Sequence, residues 1–402
     1  MLTRNREAIR RQKLERVRKS AVTPASESIV YVAPDCTDSA VKKRVQGLLA
    51  LGHDVTTFSF RRDRYNVGSA CPWKNVELGK SQERRLVSRL FSVFRALGII
   101  MRHRTLWRQA TMIYARNLDL ALLALAGRLL NGSKTPVVYE ILDIHPLLAS
   151  PGLKGAIARW LERRVLARCR LLVISSPAYL TQYFQPRQNY HGPSYLLENK
   201  WSPSGVFQGN RLLPIPNCAP TPRWVIGWFG NIRCSRSVEI LTQVADALPD
   251  KVTIYLRGCT SLLDSSILQR AMHSRPNLVF AGEYNAPDEL PEIYAQVHFN
   301  WCADFSDGPN SAWLIPNRIY EGGYFGVPAI AIDGHHTGAY VGQHGLGMVL
   351  QEPYADELVK FLTNLDADAY QQLRRHIESL PESQFVDAGE LSQLVRMGTQ
   401  HA

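Results

Sequence analysis

Short β-branched runs alternate with helix-period runs along this chain, and that rhythm occurs in two series. In the first, SIVYVA (28–33) leads through the loop PDCTDSAVKKR into an amphipathic stretch, VKKRVQGLLALG, that closes on Gly52 before HDVTTFSF (53–60). MIYARN (112–117), the apolar helix LDLALLALAGRLL (118–130), TPVVYEILDIH (135–145), the helix WLERRVLARC and RLLVISS (170–176) continue it. The second series opens with WVIGWFG (224–230), SVEILTQVADAL and KVTIYLRG. It runs on through LLDSSILQRAMHS, LVFAGEY, ELPEIYAQV, HFNWC, IPNRIYEGGYFG and VPAIAID to helices at 354–364, 367–380 and 386–397. Parallel strands need a crossover of a dozen or more residues, so strand–helix–strand order implies a parallel sheet covered on both faces. The Pro-, Asn- and Gly-rich stretch 185–222 breaks the rhythm, and the linker is placed at 212–223. No internal sequence repeat is visible, although the halves share a layout.

The fold class expected is therefore α/β, with two doubly wound domains. Residues 1–27 form a basic tail, 28–212 and 213–385 the two domains, and 386–402 a C-terminal helix and tail. The 402-residue length suits two domains, and 45% apolar content suffices for both cores. Paired sheets of this kind face each other across a cleft, and ligands bind beyond the carboxyl ends of the strands.

The remaining totals restrict the environment. The seven cysteines (36, 71, 169, 218, 234, 259, 302) contain no C-x-x-C pair, which argues against a zinc ribbon or a disulfide framework and fits a reducing cytosol. The basic start lacks the apolar core of a signal peptide. No run reaches the ~18 apolar residues of a membrane span. Charge is divided unevenly: residues 1–200 carry 34 Lys and Arg against 14 Asp and Glu, a balance of +20, whereas residues 201–402 carry 13 against 21, a balance of −8. Such asymmetry points the first half toward a polyanion or an anionic membrane. Within it, 84–108 (RRLVSRLFSVFRALGIIMRHRTLWR) places seven arginines among Leu, Phe, Val, Ile and Trp107 at helical spacing. That pattern reads as an interfacial helix, with a core-packed helix bearing a solvated basic face as the alternative. The arginines do not alternate with an aromatic stacking surface, so nucleic acid is not an expected partner.

Three stretches carry candidate chemistry. In FGNIRCSRS a strand ends at Gly230, followed by Asn231, Arg233 and Arg236 at a helix start, where free N–H groups and the dipole attract phosphate. The bland alternative is a plain turn with solvated arginines. In PNRIYEGG, Glu321 follows Asn317 and Arg318, and its carboxylate can accept from the two hydroxyls of a ribose. Gly322 and Gly323 admit close approach of a ligand or a strand. Alternatively, Glu321 only complements the helix dipole or pairs with Arg318. In YEILDIHPLL, Glu140, Asp143 and His145 stand at a strand end, able to act as a base on an acceptor hydroxyl or merely to fix the loop. Asp366 and Asp368 form a D-x-D string away from any strand end and are set aside as a metal site.

Together these stretches resemble the GT-B nucleotide-sugar glycosyltransferases, specifically the family-four-like enzymes of bacterial exopolysaccharide (succinoglycan-type) synthesis. The likeness spans most of 28–380 and is best over 224–345. GNIRCSR matches the family's strand–Gly turn with a basic residue six positions on; NLVFAGEYNAPDELPEIYAQVHF (277–299) and EGGYFGVPAIA match two further signatures. YEILDIHPLL resembles the subgroup's E-x-x-D-x-[WH]-P segment. The family's first glutamate falls at Trp313, so Asn310 and Ser311 with loop amides would take over donor-sugar contacts.

The resemblance implies two Rossmann-like domains facing a cleft and a hexosyltransferase activity. The donor would be held by Gly230, Asn231, Arg233, Arg236, Asn310, Ser311, Asn317, Arg318, Glu321 and Gly322. Asp143, His145 and Glu140 would lie on the acceptor side. It further implies no metal or cofactor, a polyprenyl-diphosphate-linked oligosaccharide acceptor, other polysaccharide-assembly enzymes as partners, and a peripheral place at the inner face of the cytoplasmic membrane. A catalytically silent scaffold with the same fold is the alternative.

Overall fold

The computed structural model describes residues 26–61, 71–80, 86–202, 211, 223–306 and 308–400, without the side chains of 86–91. Most of the basic tail, most of the linker stretch and Arg84 and Arg85 lie outside the described residues.

The chain builds two parallel sheets. The first contains β1 (Ser28–Ala33), β2 (Asp54–Arg61), β3 (Asn75–Lys80), β4 (Met112–Arg116), β5 (Val137–Ile141), β6 (Leu171–Ile174) and β7 (Ser194–Leu196), in the order β3-β2-β1-β4-β5-β6-β7. The second contains β8 (Trp224–Asn231), β9 (Val252–Cys259), β10 (Leu278–Phe280), β11 (Phe299–Trp301), β12 (Ala329–Ile332) and β13 (Gly347–Leu350), in the order β10-β9-β8-β11-β12-β13. Every registered pair is parallel. In the first sheet strand order reverses between β1 and β4, in the second between β8 and β11, which are the places where such sheets open a crevice.

Continuous apolar runs make the central strands, because crossover helices bury both faces. β4, β5 and β6 are buried along their whole length. Trp107 fills the first lobe's core, and Trp224, Trp228 and Trp301 that of the second. Burying each large apolar side chain contributes about 1.5–3 kcal/mol. Asp38 starts the helix Ser39–Ala50 by accepting from the amides of Ala40 and Val41. Asp366 does the same for Ala367–Ser379, accepting from Ala369, so half of the D-x-D string is a helix cap.

Two strands of chain tie the lobes together. Trp201 and Val386 form a parallel bridge, with the Trp201 amide donating to Phe385 and the Asp387 amide to Trp201. The chain then returns to the first lobe, where the helix Glu390–Thr399 inserts Leu391, Leu394 and Val395 among Ile29, Tyr31 and Met112. Sequence periodicity identifies that helix but not its partner. The cysteines also differ from expectation: Cys36, in the loop after β1, is disulfide-bonded to Cys71. Among the described residues no helix is long and apolar enough to cross a membrane.

Candidate active site

An Arg–Asp ion pair spans each crevice. In the first lobe Arg116, at the end of β4, meets Asp38 at 2.9 Å. Burial pushes the Asp38 carboxyl up, but Arg116 and the helix-start amides outweigh it and hold it below the ordinary range. In the second lobe Arg233, beyond β8, meets Asp304, beyond β11, at 2.8 Å. Asp304 also accepts from the Ser306 amide at 2.8 Å. Here too burial raises the carboxyl while Ser306 and Arg233 bring it below its usual value.

Glu321 sits in the second turn of the helix Asn317–Tyr324, five residues after Pro316 at the cap position. Its carboxylate is half-buried and accepts from the Tyr294 hydroxyl at 3.3 Å. Burial raises its pKa, opposed by Lys43, Arg318 and Tyr294. Lys43 belongs to the first lobe, so Glu321 faces charge from across the interface. Lys43 donates to the carbonyl of Asn199 and lies 5.7 Å above the Trp201 ring, and burial lowers its pKa against the pull of Glu321. Arg318 donates to the Phe229 carbonyl at 3.0 Å, beneath Gly230, whose φ of 104° suits glycine. Gly230, Arg318, Glu321 and Lys43 thus form one locality.

The glycines after Glu321 serve the protein's own packing. A methyl group on Gly322 would lie 2.7 Å from the Asn300 amide, and one on Gly323 would lie 2.2 Å from the Phe385 ring. The close approach is therefore to β11 and to the connection between lobes. The Gly322 backbone lies on that buried side, and Asn317 is half-buried at the helix start.

Other candidates are dispersed. Asn231 is exposed at the end of β8. Arg236 stands at the start of the helix Ser235–Ala247: its guanidinium pairs with Glu352 at 2.5 Å and stacks 4.6 Å over Phe305, the residue after Asp304. The pocket it lines also holds Glu239, Gln243, Tyr354 and Asp356. Glu140 is 1% exposed and engaged by Arg44 at 2.7 Å and Tyr31 at 3.4 Å, so it braces the sheet where the sequence suggested a base. Asp143 and His145 are exposed beyond β5, with His145 accepting from the Leu147 amide at 3.2 Å. Asn310 bonds to the first lobe, at 3.1 Å to the Ile144 amide, and Ser311 reaches Asp304 at 3.5 Å. Trp313, at the family's first-acid position, lies 6.4 Å from Tyr183 of the first lobe.

Sequence reasoning passes over Lys43, Tyr294 and Asp304. Asp304 had a local signal, an Asp two residues before a Ser at a strand's carboxyl end. Lys43 had none, since only the meeting of lobes brings it to Glu321.

A glycosyl transferase 4-like domain matches residues 39–188. The chain is 34% identical over 371 residues to the succinoglycan biosynthesis protein ExoL of Rhizobium meliloti (strain 1021), covering 92% of each. Among solved structures, HepE of Anabaena in complex with UDP and glucose superposes with a TM-score of 0.69 at 14% identity, over 92% of this chain and 98% of that one. WaaG, a glycosyltransferase involved in lipopolysaccharide biosynthesis, gives 0.62 at 14% identity, over 93% and 100%. These structures share the GT-B arrangement of two lobes.

Proposed function

The chain belongs to the family of the succinoglycan biosynthesis protein ExoL and is a glycosyltransferase, and on that premise we propose its substrates and setting. It moves a sugar from a nucleoside diphosphate sugar, held by the second lobe, to a lipid-linked oligosaccharide presented to the first, in exopolysaccharide assembly. The observation that carries the donor reading is Glu321: a half-buried carboxylate between lobes, with Arg318 and Lys43 beside it. A carboxylate there accepts from both hydroxyls of a ribose. Arg318, under the Gly230 turn, and Arg233 supply positive charge for the diphosphate, Arg233 by exchanging Asp304 for phosphate. Asp143 and His145 face the acceptor in this scheme. Glu140 orients the sheet through Arg44, and Arg236, paired with Glu352, is a further cation at the start of the helix Ser235–Ala247.

The membrane-facing surface extends beyond 84–108. Val93, Phe94 and Met101 are exposed on the helix Leu86–Arg102. Leu153, Ile157 and Trp160 are exposed on Leu153–Leu166, beside Lys154, Arg163 and Arg164, and the only acid of that helix, Glu162, is buried. Apolar residues ringed by cations suit an anionic bilayer surface.

Transfer or hydrolysis with a panel of nucleotide sugars tests the reading. Wild-type protein turns over one of them, and Glu321→Ala lowers kcat/KM by roughly 10- to 100-fold, the equivalent of losing one or two charge-assisted hydrogen bonds. Undiminished turnover in the variant contradicts the donor site. Binding without turnover in wild type supports the silent scaffold.

A further inference from the structure

We propose that Asn310, carried by the donor lobe, is a positioning residue of the acceptor side: it orders the turn 142–145 of the opposite lobe and fixes the Asp143 carboxylate. The activity arm of its test rests on the transferase reading; the geometry does not. Asn310 is 3% exposed, and its side-chain amide makes three polar contacts with the first lobe. Its Oδ1 accepts from the Ile144 amide at 3.1 Å and from the Tyr179 hydroxyl at 3.1 Å. The single Tyr179 proton is shared with the Leu142 carbonyl, 2.8 Å away. A backbone N–H only donates, so the Ile144 amide fixes which end of the Asn310 side chain is oxygen. The Nδ2 end is thereby turned to Asp143 Oδ1 at 3.3 Å.

The same short helix, Pro309–Trp313, is held at its other end, where Ser176 Oγ donates to the Trp313 carbonyl at 2.5 Å. Next to Asn310, Ser311 Oγ reaches Asp304 at 3.5 Å, and Asp304 pairs with Arg233. Through the peptide that joins Asn310 to Ser311, the polar contacts of the donor crevice and those at Asp143 meet on one short helix. Burying the amide is favourable only while both of its ends have partners, which the first lobe supplies. The acceptor-side carboxylate is consequently ordered by the donor lobe, and a shift of Pro309–Trp313 on donor binding would be felt at Asp143.

Two measurements test this. The first needs no substrate: amide hydrogen exchange at Ile144 in full-length protein. Asn310→Ala speeds that exchange by roughly fivefold or more, as expected for loss of one net hydrogen bond, while the amides of β4 are unchanged. Equal protection in the variant overturns the proposal. The second uses the near-isosteric Asn310→Asp, which keeps the acceptor oxygen but sets a second carboxylate against Asp143. Two carboxylates so close cannot both ionise easily. With the nucleotide sugar that wild type turns over, kcat relative to wild type falls roughly tenfold by pH 8 and recovers toward pH 5.5. KM for the donor stays nearly constant. Adding Asp143→Asn restores a donor–acceptor pair of reversed polarity, so the relative pH dependence disappears. A pH-independent loss in Asn310→Asp, not altered by the second substitution, overturns the positioning role. If wild type turns over no nucleotide sugar, the transferase reading fails while hydrogen exchange still decides the clasp.

Discussion

At the scale of single residues, the chemistry rests on carboxylates whose partners set their behaviour. Asp304 is the clearest case for pH. Its carboxyl titrates below the ordinary range in the folded chain, so its contribution to stability is present above the unfolded carboxylate pKa and is lost as pH falls through the folded value. Asp304→Asn should therefore lower the melting temperature at pH 7, through a loss of about 1.5–3 kcal/mol, and lower it far less near pH 3. Melting curves of both proteins across that range check it. The sequence made Glu321 and Arg318 legible because both sit in one short motif before a strand. It gave no means of separating Glu140 from Asp143, three residues apart: the first is enclosed by Arg44 and Tyr31, the second exposed. Only the burial of the β5 end distinguishes them.

Among the elements, the central strands were readable from apolar runs, and the helix Leu118–Leu130 coincides with its apolar stretch. The strands that escaped notice, β3, β7 and β13, are all sheet edges. An edge strand is covered less completely, and these three are half-exposed, with apolar runs of at most three residues. The helix Leu153–Leu166 begins seven residues before the periodicity at Trp160, because its first turns, LKGAIAR, mix glycine and cations with exposed apolar residues. The glycine pair after Glu321 left a ligand or a strand open as the close neighbour; contact with Asn300 of β11 and with Phe385 accounts for it. Gly323→Ala overpacks that contact and should cost about 1–3 kcal/mol. A lower urea midpoint for Gly323→Ala, with part of the loss regained on adding Phe385→Leu, is the expected result.

For the molecule as a whole, the two doubly wound lobes were evident from the order of elements, whereas their mutual arrangement was not. No local pattern announces that Lys43 meets Glu321, that Asn310 meets Ile144, or that the last helix packs on the first lobe. These are consequences of the crossings at Trp201 and Val386. The exposed apolar residues on the basic first lobe are what the proposed membrane surface rests on. Co-sedimentation with anionic vesicles should weaken when Ile157 and Trp160 are both changed to Asp, and should weaken further with added salt; binding of free nucleotide should not change.

The central claim is that Glu321 holds the ribose of the donor nucleotide. Titration calorimetry with a nucleoside diphosphate and its 2′-deoxy counterpart, on wild type and Glu321→Ala, tests it most directly. Wild type should prefer the ribonucleotide by roughly tenfold or more, and the variant should bind both equally. A ribose preference that survives in Glu321→Ala, or that is absent from wild type, would contradict the account.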